Sequence, residues 1–300
     1  MRSELLGYIY DRNLHQKKKI TKFLENESVS RDLDTFLNEY SGFMKSNDIT
    51  VQELAGSYLQ MVNDMIEARI EFTRTGEYPR GDQDSAIQEV YSNPKVMTKY
   101  MLGLALSQFL WKQHYLLLKF YKENLGYTKN NGKYLEVGSG HGLFLKELLS
   151  KVGTNFQMDV VDISSTSIEI SKKITKTLLS DSYSNINFIH SDILKYQSDA
   201  TYDFITIGEV LEHVSNPDEI LKSLNRLLSP SGYMYVSTCA NSPALDHIYH
   251  YHNVEEIKEM IVSTGFEIIE EIIIPVEDYP IEKIIKYKID VMYAAIVKRK

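Results

Sequence analysis

The sequence predicts an α/β protein: a mostly parallel β-sheet with helices on both faces, preceded by an all-helical segment. Three observations predict it. Residues before about 130 place apolar side chains at helical spacing and carry few strand signals. Residues after Gly132 alternate short apolar strands with amphipathic helices. A glycine-rich turn, Gly138-Ser139-Gly140-His141-Gly142, joins the first of those strands to the helix behind it. The change of character divides the chain into residues 1–128, read as a lid, specificity or dimerisation domain, and residues 129–300, the α/β domain.

In the first part, Leu33, Phe36, Leu37 and Tyr40 share one face of a helix over Asp32–Met44. A second helix, over Thr50–Ile70, carries Val51, Leu54, Tyr58, Met61 and Met65, with Thr50 as N-cap and Glu53 as its capping-box partner. Thr73–Asp84 holds Gly76, Pro79 and Gly81 and reads as a loop. Asn93-Pro94 opens one long helix, Pro94–Asn124, with Tyr100, Ser107, Trp111, His114 and Tyr121 near one stripe. Gly126 marks its end, and Lys129–Gly132 is a linker.

The second part reads as strands at Tyr134–Val137, Phe156–Asp162, Ile186–His190, Tyr202–Ile207, Gly232–Ser237, Glu267–Ile274 and Ile289–Val297. Helices lie between them at His141–Lys151, Ser167–Leu179, Pro217–Leu228 and Val254–Thr264. In such a sheet, ligands bind beyond the carboxyl ends of the strands.

Lys and Arg number 33 against 41 Asp and Glu, a net charge of −8, which disfavours nucleic acid as a partner. One cysteine, Cys239, excludes an internal disulfide and a cysteine-rich metal site, and fits a cytoplasmic location. No run of about 18 apolar residues occurs, so no membrane span is expected. The first residues carry no apolar signal core.

The site is expected at the strand ends. Glycines 138, 140 and 142 miss the G-x-G-x-x-G spacing of a dinucleotide turn, because Leu143 takes the third position. Carboxylates surround the turn instead, which suits a cationic ligand better than a pyrophosphate. Glu136 precedes it. Asp162 ends the second strand, where its carboxylate can accept both hydroxyls of a ribose; Asp192 ends the third, within reach of an adenine amino group. Glu209 and Glu212 follow the fourth, in Gly208-Glu209-Val210-Leu211-Glu212-His213.

These segments (E-V-G-S-G-H-G, V-V-D-I, S-D-I-L, Y-D-F-I-T-I-G-E-V-L-E-H-V and L-L-S-P-S-G-Y-M-Y-V-S-T) resemble the class I S-adenosylmethionine-dependent methyltransferases, from about Gly132 to the last residue. The resemblance implies a seven-stranded sheet with an antiparallel last strand. It implies S-adenosylmethionine as cofactor, held by Glu136, Gly138, Ser139, Gly140 and Gly142, with Asp162 and Ile163 at the ribose. Asp192 and Ile193 then flank the adenine, and Gly208 and Glu209 lie beside the sulfonium and amino end.

The expected reaction is methyl transfer to an O, N or C atom of a small-molecule acceptor, mainly by holding both reactants in line. Protein methylation and a non-catalytic cofactor-binding scaffold are the alternatives. His213 is the first candidate base and His247 the second. Tyr100, Trp111, His114 and Tyr115 from the long helix, with Asn241, Asp246 and His250 after the fifth strand, are the candidate acceptor residues. No metal is expected, since the histidines near Asp246 have no regular ligand spacing. A homodimer through the helical part is an alternative to a lid.

Overall fold

The computed structural model describes residues 1–79, 87–153, 155–178 and 185–300. The helical part supplies α1 (Arg2–Arg12), α2 (Leu14–Leu24), α3 (Glu27–Ser46), α4 (Val51–Thr75), α5 (Pro94–Leu110) and α6 (Lys112–Asn124), with one π-helical turn at Ile87–Tyr91. β1 (Lys133–Val137), α7 (Leu143–Val152), β2 (Gln157–Asp162), α8 (Ser165–Leu178), β3 (Ile186–His190) and β4 (Tyr202–Gly208) follow. The chain continues through α9 (Pro217–Leu227), β5 (Leu228–Ala240), α10 (Val254–Ser263), β6 (Phe266–Pro275), α11 (Ile281–Lys286) and β7 (Val291–Arg299).

The sheet has seven strands in the order β3-β2-β1-β4-β5-β7-β6. β1 lies between β2 and β4 and pairs in parallel with both, and β7 runs antiparallel to β5 and β6. The direction of the glycine turn and of the carboxylates after β2, β3 and β4 is therefore common: all project from one edge of the parallel strands.

Alternation along the strands splits the core in two. Tyr134, Phe204 and Tyr235 face the side covered by α3–α8, whereas Leu135, Val137, Ile205, Met234 and Val236 face α9 and α10. The helical part packs directly on the first face. Tyr121 of α6 meets Phe144 and Tyr235 edge-on at 4.9 and 4.8 Å, and its hydroxyl lies 3.1 Å from Thr206 Oγ1. Residues from α1 to α6 and from the sheet thus share one hydrophobic core.

The Thr50 N-cap and its capping box with Glu53 are present, and α4 ends on Gly76 in the left-handed conformation. The helix therefore runs five residues beyond Ile70, into the segment read as a loop; residues 80–84 of that segment and Leu179 lie outside the described residues. The single long helix over Pro94–Asn124 is corrected. It breaks at Trp111, whose backbone is extended (φ −112, ψ 127). No proline or glycine marks the break, and the ladder nearly bridges it, with Trp111 N–H donating to Ser107 O and Tyr115 N–H to Trp111 O. Side chains account for it: Trp111 Nε1 donates to Tyr58 Oη at 2.7 Å, and Ser107 Oγ meets His114 Nδ1 at 2.7 Å across the bend. The helices α1 and α2, and α11, carried no sequence reading. No helix among the described residues is long and apolar enough to cross a membrane.

Candidate active site

The glycine turn leaves β1 by a sharp backbone reversal. Gly138, Gly140 and Gly142 have φ of +72, +45 and +73°, which side chains resist. A Cβ on Gly138 would meet Val210 Cγ2 at 2.4 Å, so the turn is closed against the loop after β4. Gly138 N–H donates to Val161 O at 2.9 Å, tying the turn to β2. Glu209, after β4, and Asn241, after β5, are non-glycine residues at φ +53 and +52°. Strained backbone thus gathers at this edge of the sheet.

Asp162 is buried beside the turn. Its Oδ1 accepts from Ser164 N–H at 2.8 Å, while Oδ2 takes only long contacts, 3.3 Å from Gly140 N–H and 3.4 Å from Ser139 Oγ. Burial raises its pKa, and these donors oppose the rise. Asp192 Oδ1 accepts from Leu194 N–H at 2.9 Å and so caps the turn after β3.

A cavity of about 1250 Å³ runs along these strand ends and up beneath α4, α5 and α6. Gly138, Ser139, Gly140, Asp162, Ile163, Asp192, Ile193, Gly208 and Glu209 line it. Tyr100, Trp111, His114, Tyr115, His213, Asp246 and His247 line its other end. Glu136 is buried among α6 and α7 and does not line it among the described residues; nor do Gly142, Asn241 and His250. Asn241 and His250 organise the loop instead: His250 Nε2 lies 2.9 Å from Asn241 Oδ1, and the ring stacks on Tyr78 at 4.6 Å.

Polar groups converge at that other end of the cavity. Asp246 accepts from Tyr91 Oη at 3.2 Å and Tyr100 Oη at 3.1 Å. His213 Nδ1 lies 3.0 Å from the Asp246 carbonyl and 3.4 Å from its Oδ2. Burial alone would lower the His213 pKa, but the Asp246 and Glu212 carboxylates hold it above its ordinary value. His247 Nδ1 meets Ser242 O at 2.5 Å, and burial with the neighbouring His213 lowers its pKa. The two imidazole rings stand edge to face, 4.7 Å apart. Glu212 Oε2 accepts from Thr238 Oγ1 at 2.8 Å, whereas Glu212 Oε1 and Glu209 Oε1 are buried without a partner. Burial, then Glu212, raises the Glu209 pKa well above the carboxylate range.

His114 lines the cavity wall, and burial pushes its pKa down to about 3, so it stands there as a neutral ring hydrogen-bonded to Ser107. Tyr115 spends its hydroxyl on Asp32 at 2.7 Å. Three participants escaped sequence reasoning. Tyr91 sits on the π-helical turn, where nothing local marks it. Arg69 of α4 pairs with Asp290 and donates to Asn241 O at 2.6 Å, fixing the loop after β5 against the helical part. Met101 of α5 brings its sulfur 3.3 Å from the point where a Gly140 Cβ would lie.

A family model described as a methyltransferase domain matches residues 110–271, more than half of the chain. The chain belongs to the methyltransferase-domain family. S-adenosylmethionine is the cofactor of that family, as the resemblance implied. The match begins at residue 110, so α6 lies within it. The Schizosaccharomyces pombe mitochondrial ubiquinone biosynthesis O-methyltransferase is 33% identical over 37% of this chain and 39% of its own length. The Staphylococcus aureus demethylmenaquinone methyltransferase is 29% identical over 45% and 54%. The chain thus matches only about two fifths to a little over half of these relatives. Haemonchus contortus phosphoethanolamine N-methyltransferase 2, solved with S-adenosyl-L-methionine, shares the fold at a TM-score of 0.54 and 12% identity, covering 74% of this chain and 61% of that one.

The residues present fit that cofactor. Without Cβ atoms the turn packs tightly between Val210 and Met101, and its backbone at Gly138 and Gly140 lines the cavity. Asp162 Oδ2, held by long contacts alone, has capacity for ribose hydroxyls. The unpartnered Glu209 Oε1 offers an acceptor to a cationic end.

Proposed function

We propose that this chain transfers a methyl group from S-adenosylmethionine to an O, N or C atom of a small-molecule acceptor held beneath α5 and α6. The observation that carries the reading is the single cavity joining the glycine turn and Asp162 to the Asp246–His213–His247 cluster. Two reactants bound at its two ends would meet inside it.

The cofactor, when bound, supplies a methyl group made electrophilic by its sulfonium. Asp162 would hold the ribose, Asp192 and Ile193 the adenine, and Gly208 and Glu209 the methionine end. Gly138, Ser139 and Gly140 would pass beneath it. Glu136, Gly142 and Ile163 support the same binding, Glu136 and Gly142 from behind the turn. Holding the acceptor in line can supply about 7–11 kcal/mol at best. Tyr100, Trp111 and His114 form the acceptor wall with Tyr115. Asn241 and His250 act on the acceptor only through the loop that carries Asp246. In their neutral forms, His213 and His247 would each offer an Nε2 lone pair that can take a proton from a protonated nucleophile.

The relatives' names, ubiquinone biosynthesis and demethylmenaquinone, favour a small acceptor with an apolar body, and Val62, Met65, Leu104 and Phe23 give the upper cavity that character. Titration calorimetry with S-adenosylmethionine, followed by methyl-labelled cofactor incubated with a metabolite extract, tests the reading. Label is expected in the small-molecule fraction. Label confined to macromolecules would favour protein methylation, and binding without any transfer a scaffold.

A further inference from the structure

From the side-chain geometry we infer that Glu212, His213 and His247 form a binding site for one divalent transition-metal ion at the acceptor end of the cavity. Their ligand atoms all lie within 4.8 Å of one another, and all three residues line the cavity.

The two histidines are already set for such a role. A backbone carbonyl can only accept, so His213 Nδ1 opposite Asp246 O and His247 Nδ1 opposite Ser242 O must each carry the proton. In the neutral form that a metal ligand must take, each ring then has its Nε2 lone pair free. The Asp246 carboxylate, 3.4 Å from His213 Nδ1, completes a carboxylate–histidine relay of the kind that orients metal-bound imidazoles. Tyr91 and Tyr100 hold that carboxylate in turn.

The carboxylate supplies the independent observation. Glu212 is 1% exposed, Thr238 satisfies its Oε2, and its Oε1 has no partner. A buried carboxylate oxygen left in this state calls for an ion or a water. His213 Nε2 stands 4.0 Å from that oxygen, too far for a hydrogen bond. It is the span of two ligands across one ion, since two bonds of about 2.1 Å reach up to about 4.2 Å. Two imidazoles and one carboxylate suit zinc, cobalt, iron or manganese better than magnesium or calcium, which prefer all-oxygen shells. Three protein ligands leave a position open toward the cavity, where an acceptor oxygen can bind.

The site does not depend on methyl transfer, and its test needs none. Metal-stripped protein is titrated with CoCl₂, read by visible absorption and calorimetry, with MgCl₂ as the comparison. One Co²⁺ per chain is expected, bound more tightly than Mg²⁺. Affinity should fall more than about tenfold in Glu212→Gln and in His213→Asn and stay unchanged in His15→Asn, which lies in α2. No cobalt binding, or binding that ignores both substitutions, would overturn the site. Should a variant lose its fold, MnCl₂ added to the wild-type chain decides: it must broaden the imidazole resonances of His213 and His247 before those of His15 and His190, and the reverse order rejects the assignment. Loss of cofactor binding in the calorimetry above leaves this result untouched, and the converse holds.

Discussion

Gly138 and Asp162 line the glycine-turn end of the cavity, and each makes a separate expectation. Gly138→Ala must place a methyl 2.4 Å from Val210 Cγ2 at φ +72°. Left-handed backbone alone costs a non-glycine residue about 1–3 kcal/mol, and the collision adds to it. Thermal unfolding should show the loss, and Val210→Ala should recover only the collision, leaving the backbone share as a measurable residue of a double-mutant cycle. Asp162→Ala should weaken S-adenosylmethionine by about tenfold or more in calorimetry, since hydrogen bonds to a charged group are worth about 1.5–3 kcal/mol. Unaltered affinity would remove Asp162 from the ribose. These two residues were readable because a strand, a tight turn and an acidic strand end are local patterns. Glu212 and His247 were not readable as a pair: 35 positions separate them, and only the return of the loop after β5 brings them together. Tyr91 had no local signal of any kind.

At the scale of elements, the alternation of strands and helices after Gly132 was legible to within a few residues, because burial with period two on strands and near four on helices is written into the apolar positions. The break at Trp111 was not. No neighbouring residue is a helix breaker, and the bend is decided by a partner on α4 and by a serine–histidine contact that no periodicity carries. Trp111→Phe keeps an aromatic ring, though a smaller one, and loses the bond to Tyr58. Its buried hydroxyl would then keep only Gln16 as a partner, at 2.6 Å. A loss of about 1–3 kcal/mol is expected in denaturant unfolding. Thr50→Ala removes the cap of α4 and should cost about 1 kcal/mol in the same measurement. No measurable change would mean that the start of α4 is held by packing alone.

For the whole molecule, the shared core matters most. Removing residues 1–128 would uncover Phe204 and Tyr235 on the sheet and Phe144 on α7. The fragment 129–300 is therefore expected to lack a cooperative thermal transition; a sharp one would establish an autonomous domain there. Glu136 sets a second global property. Burial raises its pKa well above the carboxylate range, with Asp162 adding to the rise. The folded chain thus keeps a proton that the unfolded chain releases. Stability falls as pH climbs from the ordinary carboxylate pKa to the raised one and is level above it. Glu136→Gln should flatten that slope in melting curves across the interval, and an unchanged slope would place the ionising group elsewhere.

Tyr91 and Tyr100 come from ahead of the sheet, and both hydroxyls end on one carboxylate behind β5. Two phenols of the chain itself therefore occupy the polar end of the cavity. A hydroxyl brought to Asp246 from outside would have to displace one of these two bonds. The polar end of the cavity is thus closed by the chain's own hydroxyls, and its open volume lies on the apolar side of them.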